Sequence, residues 1–308
     1  HVLPELLDEA PVLQALRRDL HAHPELAFEE ARTADIIATQ LTRWGIEVHR
    51  GLAKTGVVGI IKGQPGQRSI GLRADLDALP MTEHNQFAHA SQHPGKMHAC
   101  GHDGHTAMLL AAAQYLAKHR DFAGTVYLVF QPAEESRGGA REMIRDGLFE
   151  RFPMDAIFGI HNWPGLAAGD IAVRSGPCFA SSNEFRIVVR GKGCHGAMPH
   201  LGIDPVPVAC QLVQGFQTIL TRNLHPTDAG VISVSMIEAG EATNVIPETA
   251  TLRGTVRSFT TEVLDVIESR MREMTHQLCA AFGATAEFEF TRRYPPTINH
   301  VAEAEFVR

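Results

Sequence analysis

The residues best suited to chemistry in this sequence gather in the run His98-Ala99-Cys100-Gly101-His102-Asp103-Gly104-His105, three histidines and a cysteine in eight positions. Cys100 and His102 lie two apart with a glycine between them. From a turn, a thiolate and an imidazole at that spacing converge on one cation, though they do not do so from one face of a helix. A lone Cys-x-His is more often a buried cysteine in a histidine-bearing loop; the density of donors here shifts the reading to metal. An alanine- and leucine-rich helix is expected from Thr106 to His119, and its N-terminal dipole favours the thiolate of Cys100.

Two more constellations stand at the ends of apolar strands. Gln131-Pro132-Ala133-Glu134-Glu135 follows the strand Thr125–Phe130, and His161 follows the strand Ala156–Ile160. Residues at strand C-termini in an open α/β sheet face the crevice where ligands bind. Adjacent carboxylates outside a helix diverge, so one of the pair can ligate a metal while its neighbour faces a water as general base. Asp75 and Asp77, beside the strand Ser69–Leu72, suit carboxylates that orient ligating histidines. Further along, Gly191 to His200 is a glycine-rich turn carrying His195, a residue type able to stabilise an oxyanion or simply to decorate a hairpin. Asn244 and Arg257 lie beside apolar strands, and Arg257 is either a clamp for a carboxylate or an exposed strand arginine.

The elements that must carry these residues fall into two textures. Leu13, Leu16 and Leu20, then Ile36, Ile37 and Leu41, repeat at helical spacing, and Gly45 is a stop signal. Apolar strands alternating with helices up to about Pro177 argue an α/β domain with a largely buried sheet. Beyond it come strand Glu184–Val189, helix Asp204–Arg222, strands Val231–Ile237 and Ala250–Ser258, helix Thr261–Phe282 and strand Ala284–Phe290. That order, βαββαβ, is ferredoxin-like. The expected layout is therefore a catalytic domain over 1–178, an inserted domain over 179–292, and a return to the first domain over 293–308.

Composition narrows the function classes. With 44% hydrophobic and 20% charged residues the chain is an ordinary globular one. Its net charge of -7 gives no electrostatic support to nucleic-acid or anionic-membrane binding. No apolar stretch reaches transmembrane length, and the start His1-Val2-Leu3-Pro4-Glu5 lacks the features of a signal peptide. Five cysteines without framework spacing argue against a disulfide scaffold and for a cytoplasmic setting.

The strings Asp19-Leu20-His21-Ala22-His23-Pro24-Glu25-Leu26, Arg73 to Pro80, Met97 to Thr106, Gln131 to Glu135 and Gly191 to Pro199 resemble the family of hippurate hydrolases, N-acyl-amino-acid amidohydrolases and auxin-conjugate hydrolases. This family lies within the aminoacylase/carboxypeptidase superfamily of dinuclear metallopeptidases. The resemblance spans nearly the whole chain. It implies a metallopeptidase-type α/β catalytic domain, its mixed sheet flanked by helices, with an inserted ferredoxin-like lid and dimerisation domain. It implies hydrolysis of N-acyl amino acids by a metal-activated water. The cofactor implied is a pair of divalent ions, Mn or Zn ahead of Co or Ni. Cys100 would bridge the metals, with His102, Glu135 and His161 as further ligands and Glu134 as general base. His195 would reach a partner subunit's active site, Asn244 and Arg257 would bind substrate, and the assembly would be a homodimer or larger. A dipeptidase or carboxypeptidase of the superfamily is the near alternative.

Two departures accompany the resemblance. Glu135 is followed by Ser136-Arg137-Gly138-Gly139 where relatives carry a longer glycine run. The family's last metal-ligating histidine lies in a C-terminal stretch not reached by Arg308, and His300 stands too soon after Pro296 to be that residue. The expectation is a truncated sequence; a complete chain ending there would favour a catalytically silent metal- or ligand-binding protein.

Overall fold

The computed structural model describes residues 3–135 and 137–308. His1, Val2 and Ser136, named above at the chain start and after the glutamate pair, lie outside the described residues. Two compact units are resolved, His1–Asp170 and Ile171–Arg308.

The first unit begins with helices α1 (Pro4–Ala22) and α2 (Ala31–Arg43), followed by strands β1 (Glu47–Leu52), β2 (Gly56–Lys62) and β3 (Gln64–Asp75). Then come α3 (His102–Lys118), β4 (Ala123–Gln131), α4 (Gly139–Arg145), α5 (Leu148–Arg151) and β5 (Ala156–Gly159). The strands form one mixed sheet in the order β1-β2-β4-β3-β5. β3, β4 and β5 are mutually parallel, while β1 and β2 join antiparallel. Strand alternation explains the layering. Val57 and Ile61 of β2 and Val126, Leu128 and Phe130 of β4 pack with Ile37 and Leu41 of α2 and Leu110 of α3 on one face. Val58 and Val129 point the other way, onto Met143 of α4 and Leu148 of α5. Burying each such side chain contributes about 1.5–3 kcal/mol, which offsets the cost of ordering the strands.

One expected boundary is corrected. α3 starts at His102, four residues before the expected Thr106. Gly101 caps it in a left-handed conformation (φ 91°, ψ 14°), and Asp103 supplies negative charge to the first turn. The alanine-rich stretch drew the sequence reading past a start that the glycine sets. His102 and His105 are therefore one helical turn apart on one face, with ring centroids separated by 5.4 Å.

The second unit holds β6 (Gly176–Phe179), β7 (Ser182–Arg190), β8 (Cys194–His195), α6 (Pro205–Arg222), β9 (Gly230–Ala239), β10 (Val245–Ile246) and β11 (Thr249–Ser258). It ends with α7 (Thr261–Ala281), β12 (Thr285–Tyr294), β13 (Thr297–Asn299) and α8 (Val301–Val307). The four long strands form an antiparallel sheet in the order β12-β7-β11-β9. That is the expected βαββαβ unit, with α6 and α7 packed on one face through Val208, Leu212, Phe216, Ile267 and Met271. Side-chain caps start both helices: Asp204 accepts from Val206 N at 2.9 Å, and Thr260 from Val263 N at 3.2 Å. Each cap is worth about 1 kcal/mol. β6 pairs with β13 inside this unit. All five cysteines are free thiols. Among the described residues no helix is long and apolar enough to cross a membrane.

Candidate active site

The C-terminal ends of the parallel strands β3, β4 and β5 meet at one edge of the first sheet, at Asp75, Gln131 and Gly159, and the N-terminus of α3 supplies the remaining side chains. Ligand atoms of Cys100, His102 and Glu135 lie within 4.8 Å of one another. His161 Nε2 is 3.5 Å from the Cys100 sulfur. The four expected ligands are thus gathered at one place. His161 Nδ1 donates to the carbonyl of Asn162 at 2.7 Å, which leaves Nε2 as the lone-pair nitrogen facing the sulfur.

These residues fit a divalent ion. His102 Nε2 and Glu135 Oε1 are buried without hydrogen-bond partners and lie 3.7 Å apart. Two such atoms beside a thiol are costly unless a cation satisfies them. Charge agrees. Burial pulls the His102 pKa down, but the hydrogen bond to Asp77, the nearby Cys100 sulfur and the charges of Asp75 and Asp77 raise it to about 11. A second grouping within the same radius, Asp75, His102, His105 and His161, overlaps the first.

The two aspartates orient histidines. Asp77 holds His102 Nδ1 at 3.3 Å through one oxygen and the Glu135 amide at 2.9 Å through the other. Asp75 accepts from His105 Nδ1 at 2.6 Å and from Arg73 at 2.8 Å. Burial would raise the Asp75 pKa, yet His105, Arg73 and His102 hold it well below the usual carboxylate range. Such partners fix ring orientation and ligand basicity. For Glu134, burial and the neighbouring Glu135 charge raise the carboxyl pKa against the pull of His102 and Arg73. A carboxylate shifted upwards is a better proton acceptor near neutrality.

Arg73 and Asn162 escaped the sequence reading, whereas His105 stood in the opening run without a metal-ligating role. Arg73 donates to Gln131 Oε1 at 2.9 and 2.7 Å as well as to Asp75, tying the ends of β3 and β4 together. The period of two from Asp75 was a usable signal for it. His105 Nε2 meets the backbone N–H and side-chain oxygen of Asn162 at 3.0 and 2.6 Å. Asn162 in turn packs on Gly101: a Cβ there would stand 2.3 Å from its Oδ1. Gly101→Ala is expected to cost about 1–2 kcal/mol from the left-handed backbone alone, more from the collision, and to loosen His105. Unfolding midpoints and metal retention measure this; a variant equal to wild type in both refutes it.

His21, quoted above only within a string that carries the resemblance, had been given no role. Its two ring nitrogens face Asp103 at 2.9 Å and Glu83 at 3.1 Å, all three side chains being buried. Arg17 reaches Asp103 at 2.8 Å. The Asp103 hydrogen bond raises the His21 pKa, overcoming burial with help from Glu83. A raised folded pKa gives stability that is full below the unfolded value of about 6.5 and is lost as pH climbs through the folded value. The stability difference between wild type and His21→Gln in urea is therefore expected to shrink on going from mildly acidic to alkaline pH. A difference that grows would mean the ring is neutral.

Glu30, fully buried, accepts from Thr55 Oγ1 at 2.6 Å and from the Ala133 amide at 2.9 Å. Burial raises its pKa against these bonds and those from the amides of Glu30 and Phe28.

In the second unit β8 pairs with β10, which sets His195 opposite Val245 and joins Gly196 N to Asn244 O at 2.7 Å. His195 and Asn244, read from separate strings, share one ribbon. Ala197 N donates to His195 Nδ1 at 3.1 Å, so the neutral ring carries its proton on Nε2. Arg257 is elsewhere. It stands at the far end of β11 from Thr249, roughly 26 Å away at about 3.3 Å per residue. Its Nη1 donates to Thr255 Oγ1, to Val256 O at 3.1 Å and to Asn183 O at 3.5 Å.

With this geometry in hand, known proteins provide a comparison. The model of peptidase family M20/M25/M40 matches residues 71–308. Hippurate hydrolase of Campylobacter jejuni subsp. jejuni is 39% identical over 306 residues, covering 99% of this chain and 80% of that protein. Thermostable carboxypeptidase 1 of Saccharolobus solfataricus is 39% identical over 290 residues, covering 92% of this chain and 73% of its own. Among solved structures, the Bacillus subtilis YXEP protein, described as a dinuclear metal binding peptidase from the M20 family, superposes with a TM-score of 0.83 at 38% identity. That match covers 97% of this chain and 78% of the other.

Proposed function

This chain belongs to peptidase family M20/M25/M40, and on that premise we propose that it hydrolyses the amide bond of N-acyl amino acids of the hippurate type. The observation that carries the reading is the meeting of Cys100, His102, Glu135 and His161 at one sheet edge beside Glu134. Those four side chains would hold a pair of divalent ions, whose Lewis acidity lowers the pKa of water and polarises an amide carbonyl. The thiolate suits Zn and the carboxylates suit Mn, with Co or Ni compatible.

The chain's own groups then divide the work. Glu134 takes the proton of the attacking water on its carboxylate and passes it to the leaving amine nitrogen. His195, with its proton on Nε2, donates to the oxyanion of the tetrahedral intermediate. Arg257 pairs with the substrate carboxylate, and Asn244 adds a polar contact beside His195. A small N-acyl amino acid is too short to touch both ends of β11. This supports a homodimer, formed through the second unit as lid, in which His195 serves the partner's site. Mixing His195→Ala with Glu134→Gln subunits is expected to restore part of the activity; confirmed mixed dimers without rescue would remove this assignment.

The test of the whole reading is a panel of N-acyl amino acids, dipeptides and carboxypeptidase substrates, run on full-length protein reconstituted with each metal. Faster turnover of N-acyl amino acids is expected. Preference for peptides would transfer the assignment to the carboxypeptidase branch, and turnover of none would leave a binding protein.

A further inference from the structure

Glu134 sits between two clamps. On its C-terminal side the Glu135 amide donates to Asp77 at 2.9 Å. On its N-terminal side Ala133, fully buried, holds φ 53°, a left-handed conformation that a residue with a Cβ seldom adopts unless its surroundings impose it. The Ala133 carbonyl accepts from Gly139 N at 3.0 Å, and its amide donates to Glu30 at 2.9 Å. Room for that turn is tight: a Cβ on Gly139 would lie 1.7 Å from Pro132 O. Glu30 comes from the far side of the sequence, at the start of α2, and its other oxygen is anchored by Thr55 at 2.6 Å. Among the described residues its carboxylate has no cationic partner, so its hydrogen bonds go to neutral donors at the turn and its surroundings.

We propose that Glu30 is a positioning residue for Glu134: its carboxylate holds the left-handed turn at Ala133 and so sets the direction in which residue 134 leaves the end of β4. The inference rests on the reading of Glu134 as general base. Without the Glu30 acceptor the Ala133 amide is a buried donor with no partner, and Ala133 is free to relax to negative φ. Relaxation there swings Glu134 away from the reacting atoms, and displacement on the order of 1 Å costs up to about 100-fold in rate.

Glu30→Gln is the sharp test, because glutamine has the same shape but a single acceptor oxygen for the amides of Ala133, Phe28 and Glu30, and of its partners only the Thr55 hydroxyl can accept from the N–H₂ group. In the full-length, metal-loaded protein, with N-benzoylglycine as substrate, kcat is expected to fall about 10-fold or more, with KM and metal content held. Adding Ala133→Gly to that background is expected to recover part of the loss, since glycine takes positive φ without penalty. If Glu30→Gln does not fold, Thr55→Val frees the second carboxylate oxygen from outside the loop, and a fall in kcat at constant KM is expected. The proposal is overturned by wild-type kcat in the folded variants, or by a loss that merely follows lost metal. It is overturned equally if Ala133→Gly recovers nothing. An active Glu134→Gln would instead overturn the base assignment, which keeps the two failures apart.

Discussion

Glu134→Gln is expected to lose about 10²–10⁴-fold in turnover of an N-acyl amino acid while keeping its metal. The amide has the volume of the carboxylate but cannot take a proton from water or return it to an amine. Nothing else in the site is expected to change, because the two clamps on the loop act through the backbone of residues 133 and 135. The neighbouring substitution provides the contrast. Glu135 presents a buried, unpartnered oxygen 3.7 Å from His102 Nε2, so Glu135→Gln is expected to lose metal first and activity as a consequence. Elemental analysis together with kcat separates the two outcomes. An active Glu134→Gln, or a metal-free one, removes Glu134 from the role of base.

Cys100→Ala is the second large effect. The sulfur lies in one group with His102 and Glu135 and 3.5 Å from His161 Nε2, so it is shared by both halves of the candidate ligand set. Losing a partner that only orients a ligand costs about 10–100-fold in metal affinity, and losing a ligand costs more. Metal content after dialysis is expected to collapse, with turnover falling to background. Excess metal is expected to recover little, because alanine offers no donor atom at the place the sulfur holds beside His102, Glu135 and His161. Retention of both metal and activity in Cys100→Ala would show that the sulfur is a bystander.

Much of the fold is legible in the sequence. The apolar runs of β2 and β4 read as buried strands and the alternation in β12 as a half-buried one; the apolar run of β5 read as a strand too, though it is half-exposed. The six elements of the βαββαβ unit (β7, α6, β9, β11, α7 and β12) were named in order within a few residues, whereas the two-residue strands β8 and β10 were not. The start of α3 was missed because helix propensity rises at Thr106, whereas the helix begins where Gly101 adopts positive φ. Of the residues gathered at the sheet edge, Glu134, Glu135 and His161 were named from their places at strand ends and Cys100 and His102 from the dense run of donors, and both are local signals. Arg73 and Asn162 lay beside named residues and could have been reached by the same reasoning.

The sequence by itself determined the chemical inventory: a thiol, imidazoles and paired carboxylates at strand ends, on elements whose periodicity declares their type. Tertiary structure alone decided which groups hold which. His105 and Asn162 are 57 positions apart, His21 and Asp103 are 82 apart, and Glu30 and Ala133 are 103 apart. Periodicity is a property of a short window, set by one element facing one core. A hydrogen bond between distant residues depends on strand order and on how two elements pack, and no window contains both. The left-handed turn at Ala133 shows the difference most clearly, since alanine gives no local warning of positive φ, and its backbone is met by the Gly139 amide and by the carboxylate of a distant helix start.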